Sequence, residues 1–185
     1  LPRLRPVALA VALSWSVAAA AQDAAPSLPD VTVSASGLQL GASDMTTPVT
    51  VLEGDELVQR REATLGETLA GEPGIASSHF GAGASRPIIR GMDGPRVKVL
   101  SDGAELHDAS TLSPDHAVVA EPLLATQIEV LRGPSALVHG DGAVGGVVNV
   151  LDGKVPTAVP AKGYEGSLEL RANSGASEKA GVFSL

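Results

Sequence analysis

Cysteine is absent from this chain of 185 residues. The chain therefore has no disulfide bonds, and zinc sites built from cysteine thiolates are excluded. Catalysis by a cysteine nucleophile is excluded for the same reason. A metal ion would have to bind to histidine and carboxylate side chains.

Aromatic residues are scarce, since the chain has one Trp, one Tyr and two Phe. Phe80 is the only aromatic residue between Gln22 and Lys162, so the core must consist of valine, leucine, isoleucine and alanine. Basic residues are also in the minority, with 13 against 21 acidic ones. Because nucleic-acid binding depends on clustered Lys and Arg, we expect no nucleic-acid partner.

Residues 1–21 have the layout of a secretory signal peptide. Two arginines precede an apolar run from Val7 to Val17, and alanines follow before Gln22. This order of charged, apolar and small residues is typical of such signals. The run is shorter than the roughly 20 apolar residues that a membrane-spanning helix needs. We therefore predict that the protein is exported.

The rest of the chain divides into three regions by composition. Residues 22–47 predict a flexible arm with one strand-prone run, and residues 48–160 predict a small mixed α+β domain. In that domain Thr64 and Glu67 fit a capping box at a helix start. Strands are predicted at 49–52, 87–90, 96–100, 104–106, 127–131 and 147–151, and helical turns at 55–61, 64–69, 122–124 and after Pro134.

Residues 161–185 differ again. Polar and apolar residues alternate from Ser167 to Asn173, and a second strand-compatible run extends from Glu178 to Leu185. This pattern is typical of the first hairpin of a transmembrane barrel, and a surface hairpin of a soluble domain is the alternative. Two strands cannot close a barrel, which needs about eight. We therefore expect this chain to be a truncated part of a longer protein.

The run from Gly140 to Gly145 matches the dinucleotide-binding pattern G-x-G-x-x-G. That pattern must open a helix whose N-terminus faces the pyrophosphate. Here the β-branched run from Val147 to Val150 predicts a strand instead, so we expect these glycines to serve backbone turns.

A longer motif surrounds these glycines. From Ile128 to Val150 the sequence is IEVLRGPSALVHGDGAVGGVVNV, which combines Ile-Glu-x-x-Arg-Gly-Pro, a short helix, a glycine-rich turn and Gly-Gly-Val-Val-Asn-Val. It resembles the plug domain of TonB-dependent outer-membrane receptors. Shorter matches at 72–75, 89–94 and 96–100 follow in the same order, and the resemblance covers residues 30–171.

The resemblance implies a plug inside a 22-stranded outer-membrane barrel, of which this chain would hold only the first strands. The plug would block the barrel until energy arrives from the inner membrane. The protein would lie in the outer membrane of a Gram-negative bacterium, with plug and arm facing the periplasm. Its partners would be TonB and the inner-membrane motor complex of TonB.

The resemblance also assigns a coupling segment. Its residues match the family's TonB box in position and in β-branched character, and such a segment would bind TonB by strand addition. A simply disordered arm is the alternative. The segment consists of Asp30, Val31, Thr32, Val33, Ser34 and Ala35.

Two arginines match a docking pair of the family. In the family, the arginines at the positions of Arg90 and Arg132 pair with carboxylates of the barrel wall. A guanidinium suits this role because it binds carboxylates bidentately. Arginines that merely stabilise turns are the alternative.

The segment from Ser113 to His116 is the candidate metal site. Asp115 and His116 place a carboxylate and an imidazole side by side at a predicted helix start, and both are zinc ligands. In the alternative, Ser113 and Pro114 begin the helix, Asp115 interacts with its dipole, and His116 is merely exposed.

A resemblance to the zinc-uptake branch of these receptors favours the metal site. It rests on residues 77–87, the hairpin at 91–106 and residues 113–117. It implies that Asp115 and His116 bind zinc as the transported ion, with further ligands from the barrel. His79, His107 and His139 are further candidate donors, and for each of them a surface or turn histidine is the alternative.

The predicted function is TonB-dependent active transport across the outer membrane, with zinc as cargo. A receptor for a siderophore, haem or another metal chelate is one alternative. A freestanding periplasmic binding module with the plug fold is another. We predict no enzyme and no catalytic cofactor, because the sequence lacks a G-x-S-x-G elbow, an H-E-x-x-H motif and a Walker loop.

Overall fold

The structure is a computed structural model that describes residues 31–35, 40–45, 47–155 and 159–185. The predicted signal peptide, the arm as far as Asp30 and residues 36–39 lie outside the described residues. Among the described residues, no helix has both the length and the apolar character needed to cross a membrane.

The described residues form short strands, two short α-helices and several turns of 3₁₀ helix. The strands are β1 (Val49–Glu53), β2 (Ile75–Ser77), β3 (Pro87–Ile89), β4 (Val97–Ser101), β5 (Ala104–Glu105), β6 (Ala125–Leu131), β7 (Gly146–Asp152), β8 (Ser167–Asn173) and β9 (Glu178–Ser184). The α-helices are α1 (Gly54–Arg60) and α2 (Leu65–Leu69), and 3₁₀ turns occupy Ala42–Asp44, Gly94–Arg96, Ala109–Thr111, Pro122–Leu124, Gly133–His139 and Asp141–Ala143.

Five strands make the central sheet, in the order β1-β6-β7-β4-β5. The pair β4 and β7 is parallel, and the other neighbours are antiparallel. Strands β2 and β3 form a separate antiparallel pair. The prediction of a small mixed domain with short strands and few helices is confirmed, and the predicted strands lie within two residues of the observed ones.

Both faces of the central sheet are covered, which explains why β6 and β7 have buried residues at successive positions. On one face Ile128 packs in a cluster with residues of α1 and α2. On the other face Leu131 packs in a second cluster with Val33 and Ala35. A strand that is buried on both faces needs apolar residues at successive positions rather than at alternate ones.

The described part of the arm therefore belongs to the packed domain. Val33 is 0% exposed and Ala35 is 4% exposed. The Val33 amide donates to the Leu40 carbonyl at 3.0 Å, which fixes the backbone locally. The structure differs here from the extended, uncommitted segment that we expected, because two small apolar side chains of that segment cover the second face of the sheet.

Gly146 shows what the glycine-rich turn does. Its φ is +150°, and a Cβ atom there would lie 2.7 Å from the Leu131 carbonyl oxygen and 3.0 Å from Cδ1 of Ile89. Only glycine allows the chain to enter β7 so close to β6. The backbone role expected for these glycines is consistent with this packing.

Strands β8 and β9 form a separate antiparallel hairpin. Its apolar side chains point away from the domain, since Leu168, Leu170 and Phe183 are 67%, 78% and 71% exposed. The alternate residues Glu169 and Arg171 are partly buried. The hairpin therefore directs its polar face to the domain and its apolar face outward.

Candidate functional site

Asp115 and His116 lie in an exposed turn. The prediction of a helix start at this point is wrong, because residues 114–115 form a hydrogen-bonded turn that the His116 amide closes by donating to the Ser113 carbonyl at 3.2 Å. Nδ1 of His116 lies 3.1 Å from Oδ1 of Asp115, and the two side chains are 54% and 52% exposed. The Ser113 hydroxyl donates to the Asp115 carboxylate, and this bond is the main cause that lowers the pKa of Asp115.

The other histidines do not join Asp115 and His116 in a metal-binding group among the described residues. Nε2 of His139 lies 2.9 Å from the Ala35 carbonyl oxygen. His107 is exposed. In the part of the chain that the structure describes, no group of three or more His, Asp or Glu side chains is arranged to hold a metal ion. Asp115 and His116 therefore form a two-ligand pair within these residues.

His79 is positioned by a carboxylate. Its Nδ1 lies 2.7 Å from Oε1 of Glu67, and the Ser77 hydroxyl donates to the same oxygen at 2.7 Å. The Ser77 bond and then the His79 bond lower the pKa of Glu67. The capping box predicted for Thr64 and Glu67 is half present: the Thr64 hydroxyl accepts from the Glu67 amide at 3.3 Å, but the Glu67 carboxylate binds the loop that carries His79.

A buried ion pair joins the loop that carries His79 to the segment that contains Asp108. Arg86 follows the His79 loop, and its guanidinium lies 3.2 Å from Oδ1 of Asp108, with side chains only 4% and 2% exposed. The Ser110 hydroxyl binds both of them. Burial lowers the pKa of Arg86. Sequence reasoning missed this pair, because nothing in the local pattern distinguishes Arg86 from a surface arginine.

The predicted docking arginines are close enough to affect one another. Burial is the main cause that lowers the pKa of Arg132, and the positive charge of Arg90 lowers it further, while Glu72 opposes both. Arg132 is 9% exposed and donates to the Thr50 hydroxyl at 2.7 Å. Arg90 is exposed and has a φ of 52°. The role of the two arginines in docking stays a prediction.

Two other arginines hold the terminal hairpin on the domain. Arg61, whose side chain is 9% exposed, forms an ion pair with Glu169 of β8 and donates to the Ala125 carbonyl. Arg171 of β8 pairs with Glu178 at 2.6 Å and with Glu121 at 3.2 Å. Burial alone would lower the pKa of Arg171, but the bonds to these two carboxylates raise it. The sequence did not single out either arginine, since Glu169 lies 108 positions from Arg61 and Glu121 lies 50 positions from Arg171.

Comparison with known proteins defines the class to which this arrangement belongs. The family model described as "TonB-dependent Receptor Plug Domain" matches residues 41–147. That range contains four of the five strands of the central sheet and the first two residues of β7, both α-helices, the turn with Asp115 and His116, and both predicted docking arginines. The chain therefore belongs to the TonB-dependent receptor plug domain family.

Individual relatives agree with this assignment. The chain is similar to a hemin receptor of Yersinia enterocolitica, with 27% identity over 156 residues that cover 80% of this chain and 22% of that receptor. A hemin receptor of Yersinia pestis is 30% identical over 117 residues, which cover 63% of this chain and 17% of the receptor. The chain thus spans about a fifth of the length of these curated relatives.

A solved structure shows the same fold. The siderophore receptor PirA from Acinetobacter baumannii matches with a TM-score of 0.54 and 22% identity, over 76% of this chain and 20% of that chain. The predicted membership of the receptor family is confirmed. None of these relatives is named for zinc, so they do not support the predicted zinc branch.

Proposed function

We propose that this chain is the plug end of a TonB-dependent receptor that actively transports a metal-containing cargo across the outer membrane of a Gram-negative bacterium. The family match over residues 41–147 carries the proposal. The chain itself has a transport role and no catalytic one. The remainder of the receptor supplies the barrel, and the plug and arm face the periplasm.

The hairpin of β8 and β9 supports the barrel part of the proposal. A barrel strand in a membrane places apolar residues toward lipid and polar residues toward the interior. Leu168 and Leu170 point away from the domain, and Glu169 and Arg171 make ion pairs on the side of the plug. The hairpin thus has the polarity of a wall strand that surrounds this plug.

Two further roles belong to the proposal. Residues 30–35 bind TonB by strand addition, and TonB transmits energy from the inner-membrane motor complex. Arg90 and Arg132 pair with carboxylates of the barrel wall. The match of both positions to the docking pair of the family supports this second role, since a guanidinium binds carboxylates bidentately.

Haem or a ferric siderophore is the proposed cargo. The support is the similarity to two hemin receptors at 27% and 30% identity. The described residues do not gather three metal ligands by themselves, which suits a cargo whose metal is already enclosed by a chelator. Such a cargo requires surface contacts from the plug rather than a complete coordination sphere.

Zinc is the second candidate cargo, and one observation favours it. Asp115 and His116 present adjacent oxygen and nitrogen donors in an exposed turn, with 3.1 Å between Oδ1 and Nδ1. Zinc in proteins is usually tetrahedral, so two more ligands would have to come from the rest of the receptor. This chain alone would bind zinc weakly.

Uptake by the intact receptor separates these cargos. The receptor gene is expressed in a bacterium that lacks its own iron and zinc receptors, with and without TonB. Growth is measured on hemin, on a ferric siderophore and under zinc limitation. The test variant is the double change Asp115→Ala and His116→Ala, and Asp141→Ala is the control because Asp141 is an exposed acidic residue outside the candidate site.

The proposal expects TonB-dependent growth on hemin or on the siderophore and no receptor-dependent gain under zinc limitation. Zinc uptake that the double variant loses and the Asp141 variant keeps would replace the first cargo by the second. Growth that does not depend on TonB under any condition would contradict the transport role, and would favour a freestanding plug-like module.

A further inference from the structure

Glu129 holds the proposed TonB segment on the sheet. Its Oε1 accepts hydrogen bonds from the Ser34 amide at 2.6 Å and from the Ser34 hydroxyl at 2.9 Å. Its Oε2 accepts from the Ala35 amide at 2.8 Å. The carboxylate thus binds two successive backbone N–H groups, which is a strong and directional arrangement because the acceptor is charged.

Asn149 completes the contact from the neighbouring strand. Glu129 and Asn149 are register partners on β6 and β7, and both are 0% exposed. Nδ2 of Asn149 donates to Oε2 of Glu129 at 3.0 Å and to the Ser34 hydroxyl at 3.2 Å. The Asn149 side-chain oxygen accepts from the Gly103 amide at 2.9 Å, which fixes the orientation of the amide.

Three further backbone groups of the segment are also engaged. The Val33 amide donates to Leu40, the Thr32 carbonyl accepts from Gln127 at 3.1 Å, and the Ala35 carbonyl lies 2.9 Å from Nε2 of His139. Strand addition requires free backbone donors and acceptors along one edge. In this arrangement three amides and two carbonyls of residues 32–35 are occupied, so the segment does not present a complete free edge to a partner.

The cost of releasing the segment falls mainly on Glu129. Its described hydrogen-bond partners are all neutral: the groups of Ser34 and Ala35, the Asn149 amide and Nε2 of Gln127 at 2.9 Å. When the segment leaves, three of these bonds are lost and water has to replace them at the carboxylate. Loss of charge-assisted hydrogen bonds is unfavourable, so the segment and Glu129 hold each other in place.

We propose that Glu129 and Asn149 form a latch that binds residues 32–35 and withholds their backbone from TonB. The proposal rests on the proposed function, in which this segment binds TonB. TonB and the latch compete for the same backbone groups. The apparent affinity for TonB is therefore reduced by the small fraction of molecules in which the segment is released.

The chain lacks cysteine, which gives a direct measurement of release. The change Val33→Cys introduces a single thiol at a position that is 0% exposed, and the rate of maleimide labelling reports how often the segment leaves the sheet. The full chain with this thiol is compared with the same chain carrying Glu129→Gln. The amide nitrogen of glutamine cannot accept a backbone hydrogen bond, so we expect labelling at least about tenfold faster.

Two further variants keep the test decisive. Ser34→Ala removes the hydroxyl contacts from the side of the segment, leaves the sheet intact, and is expected to speed labelling about threefold or more. Glu53→Gln is the matched control, because Glu53 is a carboxylate of the same sheet on β1. Circular dichroism checks that each variant is folded. If Glu129→Gln is unfolded, the labelling rate of the Ser34→Ala variant tests the latch instead. Labelling rates equal to that of the control would overturn the latch.

Binding of purified TonB separates the latch from the proposed function. In the folded Glu129→Gln variant without the added thiol, we expect affinity for TonB to rise about tenfold, in parallel with the labelling rate. Faster labelling with no binding of TonB by any variant would contradict the TonB role of residues 30–35 and leave the latch standing. Faster labelling with unchanged TonB affinity would overturn the competition between them.

Discussion

The central sheet and the terminal hairpin are both β structure, but they face their surroundings in opposite ways. In β6 the side chains on both faces are buried, and Ile128 and Leu131 are each 0% exposed. In β8 the apolar Leu170 is 78% exposed while the polar Arg171 lies against the domain. An alternating sequence predicts a strand and its apolar face, but only the neighbours of the strand decide which face is buried.

The two regions are also held by different forces. The sheet is stabilised by the burial of aliphatic side chains, which is not directional. The hairpin is attached through charged contacts of Arg61 and Arg171, which require defined partners. Mutations that remove apolar surface should therefore affect the sheet strongly and the hairpin hardly at all, and loss of an arginine should have its main effect on the hairpin.

The largest expected effect is on the sheet. Ile128→Ala removes a fully buried side chain and should lower the free energy of unfolding of the chain by about 2–5 kcal/mol. Leu170→Ala makes a similar truncation on the outward face of the hairpin and should change the free energy of unfolding by no more than about 0.5 kcal/mol. Urea denaturation of both variants measures the difference. Similar losses for the two would show that the outward face is buried in solution and would break the comparison.

The second effect is on the attachment of the hairpin. Arg61→Ala removes the ion pair with Glu169 and the bond to the Ala125 carbonyl. It should lower the free energy that holds the hairpin on the domain by about 1–3 kcal/mol. Amide hydrogen exchange should become faster throughout β8 and β9 while that of β6 and β7 is unchanged. Lys179→Ala is the control, because Lys179 is an exposed cation of the same hairpin. An unchanged hairpin in the Arg61 variant would mean that charged contacts do not hold it.

The smallest effect is a dependence of the stability on pH. The pKa of Glu67 is held below its ordinary value of 4.5, first by the Ser77 hydroxyl and then by His79. A lowered carboxyl pKa contributes stability that is present above the ordinary value and is lost as the pH falls through the lowered one. The parent chain should therefore be more stable than Glu67→Gln near neutral pH, and this difference should shrink in acid.

Thermal unfolding of the two chains from about pH 6 to about pH 3 measures this effect. The difference between them should be smaller than that caused by Arg61→Ala, because the Glu67 side chain is partly exposed and solvent screens its contacts. A difference that stays constant down to the lowest pH would show that the carboxylate charge of Glu67 does not stabilise the loop that carries His79.

Local patterns are sufficient to predict most of the secondary structure. β-Branched residues predict the strand at β6. Asp102 and Gly103 predict the turn between β4 and β5. A hydroxyl before a helix predicts the cap at Thr64. The pattern at Asp115 predicts a helix start, although Ser and Pro favour a turn equally well. The residues after the first turn decide between the two structures, and they carry no apolar helical repeat here.

Contacts between remote residues were beyond sequence reasoning. Arg86 and Asp108 are separated by 22 positions, Arg61 and Glu169 by 108, and Ser34 and Glu129 by 95. Each pair forms because the sheet brings distant loops together, and the residue types alone would fit many surface positions. For the same reason the sequence offered Glu129 and Asn149 only as parts of a family motif, and the structure shows that they bind the segment at residues 34–35.

The sequence by itself determined that the chain lacks disulfides, that its folded part is a small α+β domain with an aliphatic core, and that its motif from Ile128 to Val150 belongs to the receptor plug family. These properties depend on composition and on short-range spacing, which any part of the chain carries with it. The tertiary structure decided that residues 32–35 are bound to the sheet, that the hairpin turns its polar face to the plug, and that Asp115 and His116 stand as a pair without a third ligand among the described residues. Those properties depend on which distant surfaces meet, and burial and charge pairing are settled only when the chain has folded.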